Sequence, residues 1–129
     1  MDLPNQVTNK DISKDLKKLG VRQESFWYWS KEAGDKLQSR KSVGDGRTTA
    51  YSAFSASELG EFLPETIKGY PLVIRKEMDG WNVSYEGMVK EYTGCGFWEK
   101  TLADAMGMLL CFFIKQGRIL LKEPEGDDR

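Results

Sequence analysis

Hydrophobic residues recur at helical spacing in three stretches of the chain. The hydrophobic positions of the first stretch are Ile12, Leu16 and Leu19. Gly20 follows them as a C-terminal stop signal, and Thr8 or Asn9 precedes them as an N-cap. This stretch therefore predicts a short amphipathic helix that ends just before Gly20.

The second and third helical stretches are marked by capping signals. In the second, Ser55 and Glu58 have the spacing of a capping box. Pro64 ends the run, so we predict a helix from Ser55 to about Leu63. The third helical stretch begins at Thr101, which has a capping-box-like spacing to Asp104. Its broad apolar face consists of Leu102, Ala105, Met106, Leu109, Leu110, Phe112 and Phe113.

The segment Phe26–Trp29 is a run of four aromatic residues with high strand propensity. In a strand, Phe26 and Tyr28 share one face and the two tryptophans share the other, so both faces are apolar. That pattern is typical of a central strand or of a strand that is covered on each side. A return strand is predicted at Leu37–Ser42, followed by a flexible polar loop over residues 42–49.

A hairpin is predicted further along the chain. The segments Tyr70–Glu77 and Trp81–Tyr85 have strand-like patterns, and Asp79-Gly80 between them is a tight-turn signal. A third strand is predicted at Val89–Tyr92. Since the strands do not alternate with crossover helices, the order of elements predicts an α+β fold. We expect a small, mostly antiparallel sheet packed with about three helices.

The length of the chain, 129 residues, fits one domain. We assign residues 1–121 to a single α+β domain and predict that the charged segment 122–129 is a disordered tail. The N-terminal segment Met1–Gln6 has no signal-peptide pattern, and the longest apolar stretch, Leu102–Ile114, is too short to cross a bilayer. These features predict a cytoplasmic protein that does not enter a membrane.

Charge and composition exclude several kinds of chemistry. The 19 basic residues are balanced by 20 acidic ones, which argues against a dedicated nucleic-acid binder. The chain has no histidine, so it cannot contain a Ser-His-Asp or Cys-His nucleophile system or a histidine metal ligand. We therefore predict no catalytic residues, no metal and no cofactor.

The remaining reactive groups have structural explanations. Cys95 lies between two glycines, but nothing near it in the sequence lowers its pKa, and Cys111 lies on an apolar helix face as a core residue would. Glu58, Glu61 and Asp104 are placed where carboxylates favour helix N-termini. Without a metal-binding spacing, these carboxylates are better explained as helix-capping groups than as a catalytic pair.

Aromatic residues are the feature that folding does not fully explain. They make up 12% of the chain, and tryptophan and tyrosine are enriched at protein-binding hot spots. The candidate interaction surface consists of Trp27, Trp29, Trp81, Tyr85 and Trp98. We expect this surface to bind a protein partner or a second copy of the chain.

Two other hypotheses stay open. One is a nucleic-acid-associated regulator that uses the basic segment 36–47 with Trp27 or Trp29. The other is a small enzyme that works without histidine, which would need a deep pocket with convergent carboxylate, lysine or tyrosine groups.

The segment Tyr51–Pro64 is similar to a segment found in a family of small proteins. With Trp81, Tyr85 and the helix that begins Thr101–Met106, it resembles small phage and prophage proteins of gut bacteria such as Bacteroides. In those proteins an Ala-Phe-x-x-x-Glu-Leu-Gly-x-x-Leu-Pro segment precedes a tryptophan-bearing strand pair and an Ala-Asp-Ala helix. The resemblance spans most of residues 12–117. It implies a mobile-element protein and brings no activity or functional residue with it.

A second resemblance covers residues 70–116 only. A hairpin with Asp79-Gly80-Trp81 followed by Thr101–Ala105 is similar to HicB-type antitoxins, in which a hairpin precedes a Gly-Asp-Thr-x-x-Glu-Ala helix. This chain has Glu99-Lys100 in place of Gly-Asp, and no recognisable DNA-binding segment follows the helix. The similarity implies an antitoxin-like regulator as an alternative function.

Overall fold

A computed structural model of the chain describes residues 3–31, 34, 36–40, 50–86 and 96–119. Within them, a 3-10 helix at Leu3–Asn5 precedes the helices α1 (Lys10–Lys18), α2 (Ala56–Gly60) and α3 (Leu102–Lys115). The strands are β1 (Trp27–Ser30), β2 (Lys36–Ser39), β3 (Tyr51–Ala53), β4 (Thr66–Ile67), β5 (Tyr70–Glu77), β6 (Gly80–Tyr85) and β7 (Gly96–Glu99). They form two antiparallel sheets, ordered β2-β1-β3 and β4-β5-β6-β7. The predicted α+β fold class is confirmed, with the strands divided between two sheets.

β1 is the central strand of the first sheet, as its aromatic residues predict. Tyr28 is fully buried on one face, where its hydroxyl donates to the backbone carbonyl of Gln23 at 2.9 Å. Trp27 and Trp29 lie on the other face and are half-buried. Phe26 lies just before β1, where its carbonyl accepts from Arg40 N at 3.0 Å, and its side chain is 77% exposed, in contrast to the buried Tyr28.

The two outer strands of this sheet were predicted in part. The predicted return strand is β2, which ends at Ser39. β3 has no counterpart among the predictions, since it is only three residues long and small side chains bury two of its positions. The N-terminal segment extends its pairing: Thr8 N donates to the Phe54 carbonyl at 2.8 Å, and Phe54 N donates to Thr8 Oγ1 at 3.1 Å. The predicted loop at 42–49 lies outside the described residues.

β5 and β6 of the second sheet occupy the predicted hairpin. The turn between them differs from the prediction, because its two residues are Met78 and Asp79, with φ of 52° and 58°, and Gly80 already pairs with Glu77. Positive φ at both positions is the geometry of a type I′ turn. β4 and β7 were not predicted, and the strand predicted at Val89–Tyr92 lies outside the described residues.

The predicted caps are confirmed at all three helices. Asn9, one of the two candidates, caps α1 and accepts from Ile12 N at 2.8 Å. Ser55 forms a complete capping box at α2, and Thr101 caps α3. α2 is shorter than predicted, because Glu61 N and Phe62 N bond to carbonyls three residues back and so end the α-helix at Gly60.

α3 covers one face of the second sheet and also contacts α1 and α2. Val83 and Tyr85 point to α3 and are buried, whereas Asn82 and Ser84 point to the opposite face of the sheet. The main core joins residues from all three helices and from β4 and β6. The assignment of residues 1–121 to one domain stays a prediction, and the predicted tail 122–129 lies outside the described residues.

Candidate functional site

Large hydrophobic side chains are exposed at four described positions, and three of these belong to the second sheet. Ile74, Met78 and Trp98 are 43%, 84% and 41% exposed, respectively. The fourth residue, Phe26, lies apart from them, just before β1. We refer to residues 74–81 together with Trp98 as the hairpin end.

Trp98 is held against the outer face of the hairpin. It pairs with Asn82 across the β6–β7 ladder, so it lies on the face opposite to the one that packs on α3. Its Nε1 donates to the Glu77 carbonyl at 3.0 Å, and its ring covers Gly80. The side chain is therefore both exposed and fixed, which reduces the ordering entropy that binding to it would cost.

Met78 forms the tip of the hairpin end. Its φ of 52° is left-handed, a conformation that costs most L-residues about 1–2 kcal/mol. Because Met78 is 84% exposed, packing within the chain does not compensate for this cost. Met78 and Ile74 are not among the predicted surface residues, although Met78 is a large apolar residue at a tight-turn position in the sequence.

The inner face of the hairpin end contains Trp81, Lys76 and Ile74. Lys76 pairs with Trp81 across the ladder, and its ammonium lies 5.5 Å from the centroid of the Trp81 ring, within cation–π distance. Trp81 is half-buried against the core, whereas Ile74 is partly exposed. The hairpin end thus presents apolar side chains on both of its faces and at its tip.

Trp27 and Trp29 lie in the other sheet and do not join this surface. The indole Nε1 of Trp29 donates to the Thr8 carbonyl at 2.9 Å, so this ring anchors the segment that leads into α1. The carbonyl of Trp27 accepts from Ser25 Oγ at 2.7 Å. The five predicted surface residues are therefore divided between two sheets, and only Trp81 and Trp98 belong to the hairpin end.

Tyr85 does not belong to any exposed surface, and its place in the predicted set is corrected. It is 1% exposed, its hydroxyl donates to the Pro64 carbonyl at 2.6 Å, and its ring packs edge-on against Phe113 at 5.3 Å. Burial raises the pKa of the phenol far above its usual range. Alternation in β6 places Tyr85 beside Val83 on the core face, so it is a structural residue.

Cys111 is an inert thiol in the core of α3. It is 6% exposed and unpaired, and burial, with a smaller contribution from Asp15, raises its pKa to about 11. A thiol in this state is a poor nucleophile at neutral pH. Cys95 lies outside the described residues.

The carboxylate of Glu58 acts as a capping group, as expected from its position. Its Oε1 accepts from Ser55 N at 2.9 Å and its Oε2 accepts from Phe26 N at 3.0 Å. Glu61 is exposed at the C-terminal cap of α2. Both oxygens of Glu58 thus accept from backbone donors, whereas Glu61, predicted near the helix N-terminus, lies at the C-terminal end of α2 instead.

Asp104 joins the N-termini of two helices. Its Oδ1 accepts from Asn9 N at 2.8 Å, while its own N–H donates to Thr101 Oγ1 at 3.2 Å. Burial raises the pKa of Asp104, and burial together with the charge of Asp104 raises the pKa of Glu99. These two carboxylates are coupled, but in the described part of the chain no group of three potential ligands could hold a metal.

A shallow groove of about 200 Å³ lies beside Phe26. It is lined by Glu24, Ser25, Phe26, Arg40 and Glu58. Glu24 is engaged with Arg22 at 3.2 Å, and Glu58 is engaged as described above. The groove is smaller than usual ligand pockets and has no convergent catalytic groups among these residues.

None of the helices that the structure describes is long and apolar enough to span a membrane. Of the basic segment 36–47 that the nucleic-acid hypothesis uses, only residues 36–40 lie in the described ranges, so that hypothesis stays a prediction. Comparisons with protein-family models, with curated proteins and with solved structures found no match. The candidate site therefore rests on the geometry of the hairpin end alone.

Proposed function

We propose that this chain is a non-enzymatic interaction protein of phage or prophage type that binds a protein partner through the hairpin end. The observation that carries the proposal is that, within the described ranges, three of the four exposed large hydrophobic residues are concentrated there. Exposed large hydrophobic residues concentrated at one end of a hairpin are typical of an interaction site. The resemblance of Tyr51–Pro64 and Thr101–Met106 to phage proteins supports the proposed origin.

The residues of the hairpin end suit a protein partner. Trp98 is a fixed aromatic anchor, and tryptophan is enriched among hot-spot residues. Met78 is long and flexible, so it can adapt to the shape of an apolar pocket. The neighbouring charged residues, Lys76, Glu77 and Asp79, are exposed and would form a polar rim.

We also place the protein in the cytoplasm as part of this proposal. Its support is the unpaired Cys111, since a buried free thiol is typical of proteins that fold in a reducing compartment. The balance of acidic and basic residues supports a protein partner over a nucleic acid.

The experiment is a retention assay with the full chain immobilised and a lysate of a gut bacterium as the source of partners. Met78→Asn removes the exposed apolar tip, and Trp98→Ala removes the anchor. Phe26→Ser is the matched control, because it removes another exposed hydrophobic residue, at 77% exposure, away from the hairpin end. We expect a specific partner to be retained by the wild type and by Phe26→Ser and to be lost with either hairpin-end variant.

Two results would contradict the proposal. One is a chain that retains no specific partner from the lysate. The other is a partner whose retention depends on Phe26 and not on Met78 or Trp98, which would move the interface to the groove beside β1.

A further inference from the structure

β5 has an open edge next to the hairpin end. On the side away from β6, it pairs with β4 only at Tyr70 and Pro71, and Leu72 N donates to the Glu65 carbonyl at 3.0 Å. From Val73 to Glu77, no strand in the described residues pairs with that side. Residues 74–77 are all exposed, so the edge is accessible to another chain.

Two hydrogen bonds define which backbone groups face this edge. Glu86 N donates to the Pro71 carbonyl at 2.8 Å on the β6 side, whereas Leu72 N points to the β4 side. In a strand, the N–H and C=O of one residue point to the same side and alternate from residue to residue. The N–H and C=O groups of Ile74 and Lys76 therefore point out from the open edge.

We infer that two copies of this chain pair through antiparallel β5 strands, related by a two-fold axis at Arg75. In this register Ile74 of each copy lies opposite Lys76 of the other. Both edge-facing donors and both edge-facing acceptors of each copy then find partners in four hydrogen bonds. A two-fold interface of this kind uses the same patch twice, as most homodimers do.

The alternative registers satisfy fewer groups. An axis at Ile74 places Lys76 opposite Leu72, whose N–H is already bonded to Glu65. An axis at Lys76 places Ile74 opposite Met78, where the chain has left the strand at φ 52°. The free stretch of five residues is thus symmetric about Arg75 alone.

The side chains around the axis are compatible with this arrangement. Arg75 of each copy faces Arg75 of the other, but each is paired with its own Glu86 at 3.0 Å, which reduces the repulsion. Val73 of each copy lies opposite Glu77 of the other. The dimer joins two four-stranded sheets into one of eight strands and leaves Trp98, on the outer face, free for a partner.

Cysteine cross-linking tests the register. Arg75→Cys in a Cys95→Ser background places one thiol on each side of the axis, at a non-hydrogen-bonded pair with Cα atoms about 4.5 Å apart. That distance lies in the disulfide range of about 4.4–6.8 Å. Glu77→Cys in the same background is the matched control, since its two copies are offset by four residues, or about 13 Å. Cys111 does not interfere, because it is buried.

We expect Arg75→Cys to form a covalent dimer under mild oxidation at least about tenfold faster than Glu77→Cys, and both to fold normally by circular dichroism. Equal rates for the two variants would overturn the register. A wild-type chain that stays monomeric by sedimentation at about 100 µM, a concentration that detects even weak complexes, would overturn the dimer.

A proline variant tests the role of the edge itself. The N–H of Lys76 faces away from β6, so Lys76→Pro removes an edge donor without breaking the β5–β6 ladder. Lys76→Ala removes the same side chain and keeps the N–H. We expect Lys76→Pro to raise the dissociation constant of the dimer about tenfold or more relative to Lys76→Ala, because two hydrogen bonds are lost per dimer. Equal constants for the two variants would overturn the edge pairing.

The outcome is separate from that of the proposed partner binding. Met78→Asn and Trp98→Ala test the partner site, and neither changes an edge-facing backbone group between Val73 and Glu77. If dimerisation fails while partner retention still depends on Met78, only the inference about β5 is overturned. If the chain dimerises as inferred but partner retention does not depend on Met78 or Trp98, only the proposed partner site is overturned.

Discussion

The ring of Trp98 lies directly over the Cα of Gly80. A Cβ built on Gly80 would come within 2.5 Å of Cζ2 of that ring and within 2.6 Å of the Glu99 carbonyl oxygen. The hydrogen bond from Trp98 Nε1 to the Glu77 carbonyl, 3.0 Å long, fixes the ring in this position. β7 is therefore joined to the hairpin by a side chain as well as by its ladder.

This contact predicts that Gly80→Ala destabilises the protein. The added methyl must displace the indole or the backbone of β7, and such overpacking costs about 1–3 kcal/mol. Urea unfolding followed by circular dichroism would show a lower midpoint. In a Trp98→Ala background the cost should fall but not vanish, because the Glu99 carbonyl still lies close. An unchanged midpoint for Gly80→Ala would show that the ring does not rest on this glycine.

The same contact shows why part of the candidate site could not be predicted from the sequence. Trp98 was identified as a surface residue by its type, but its strand was not, since β7 is only four residues long and its two hydrophobic residues, Phe97 and Trp98, are adjacent in the sequence. Ile74 is 43% exposed although it pairs with the buried Val83 across the ladder. How far the core extends along β5 depends on long-range packing, which no local pattern indicates.

The helices and the hairpin could be predicted because their signals are local. Caps at Asn9, Ser55 and Thr101 and the alternation of Trp81, Val83 and Tyr85 arise from interactions within a few residues. By contrast, β3 is held by its pairing with β1 and, directly after it, by bonds between Thr8 and Phe54, all between residues far apart in the sequence. Tyr85 was assigned to a surface because alternation identifies the face of a residue but not whether a helix covers that face.

Gly107 and Gly60 should respond to alanine in opposite directions. A Cβ on Gly107 would lie 2.7 Å from Ile12 Cγ2 and 2.9 Å from Thr8 Cγ2, so Gly107→Ala must push α3 away from α1. We expect a loss of about 1–3 kcal/mol from this overpacking. Gly60 has no atom within 4 Å of the same position, so Gly60→Ala should gain up to about 1 kcal/mol of helix propensity. Equal shifts in the urea midpoints of the two variants would contradict this packing.

We expect that replacing Ser52 with alanine does not destabilise the protein. Its Oγ is buried and is without a hydrogen-bond partner, a state that costs about 1–3 kcal/mol. Ser52→Ala should therefore keep or raise the free energy of unfolding. Ser13→Ala is the matched control, because Ser13 Oγ bonds to Thr8 Oγ1 at 2.7 Å and to the Thr8 carbonyl at 3.2 Å. Calorimetry should show that Ser13→Ala lowers the free energy of unfolding by about 1 kcal/mol. A comparable decrease for Ser52→Ala would indicate that the Ser52 hydroxyl has a hydrogen-bond partner.

The raised pKa values of Glu99 and Asp104 predict that the stability of the protein depends on pH. Their pKa values are raised in the folded protein, first by burial and, for Glu99, also by the charge of Asp104. The folded state then binds protons more tightly than the unfolded chain, so stability falls as pH rises from the ordinary carboxyl range, about 4, through the raised values.

The variant Glu99→Gln tests the direction of this pH dependence. The variant should match the wild type below the ordinary carboxyl pKa, where both side chains are neutral, and should become more stable than the wild type above the raised pKa. Urea unfolding across this range measures the difference. A difference that shrinks as pH rises would contradict the direction of the shift.

Substitutions at Met78 should affect stability and partner binding in different ways. Asparagine tolerates the left-handed conformation that Met78 adopts at φ 52°, so Met78→Asn should raise the free energy of unfolding by about 0.5–1 kcal/mol. Met78→Leu keeps both the strain and the apolar side chain, so it should change neither stability nor partner retention. Urea unfolding of the three proteins measures the first effect, and the retention assay measures the second. If Met78→Asn lowers stability, the methionine is held by contacts within the chain, and its exposure at the tip no longer supports a role in binding.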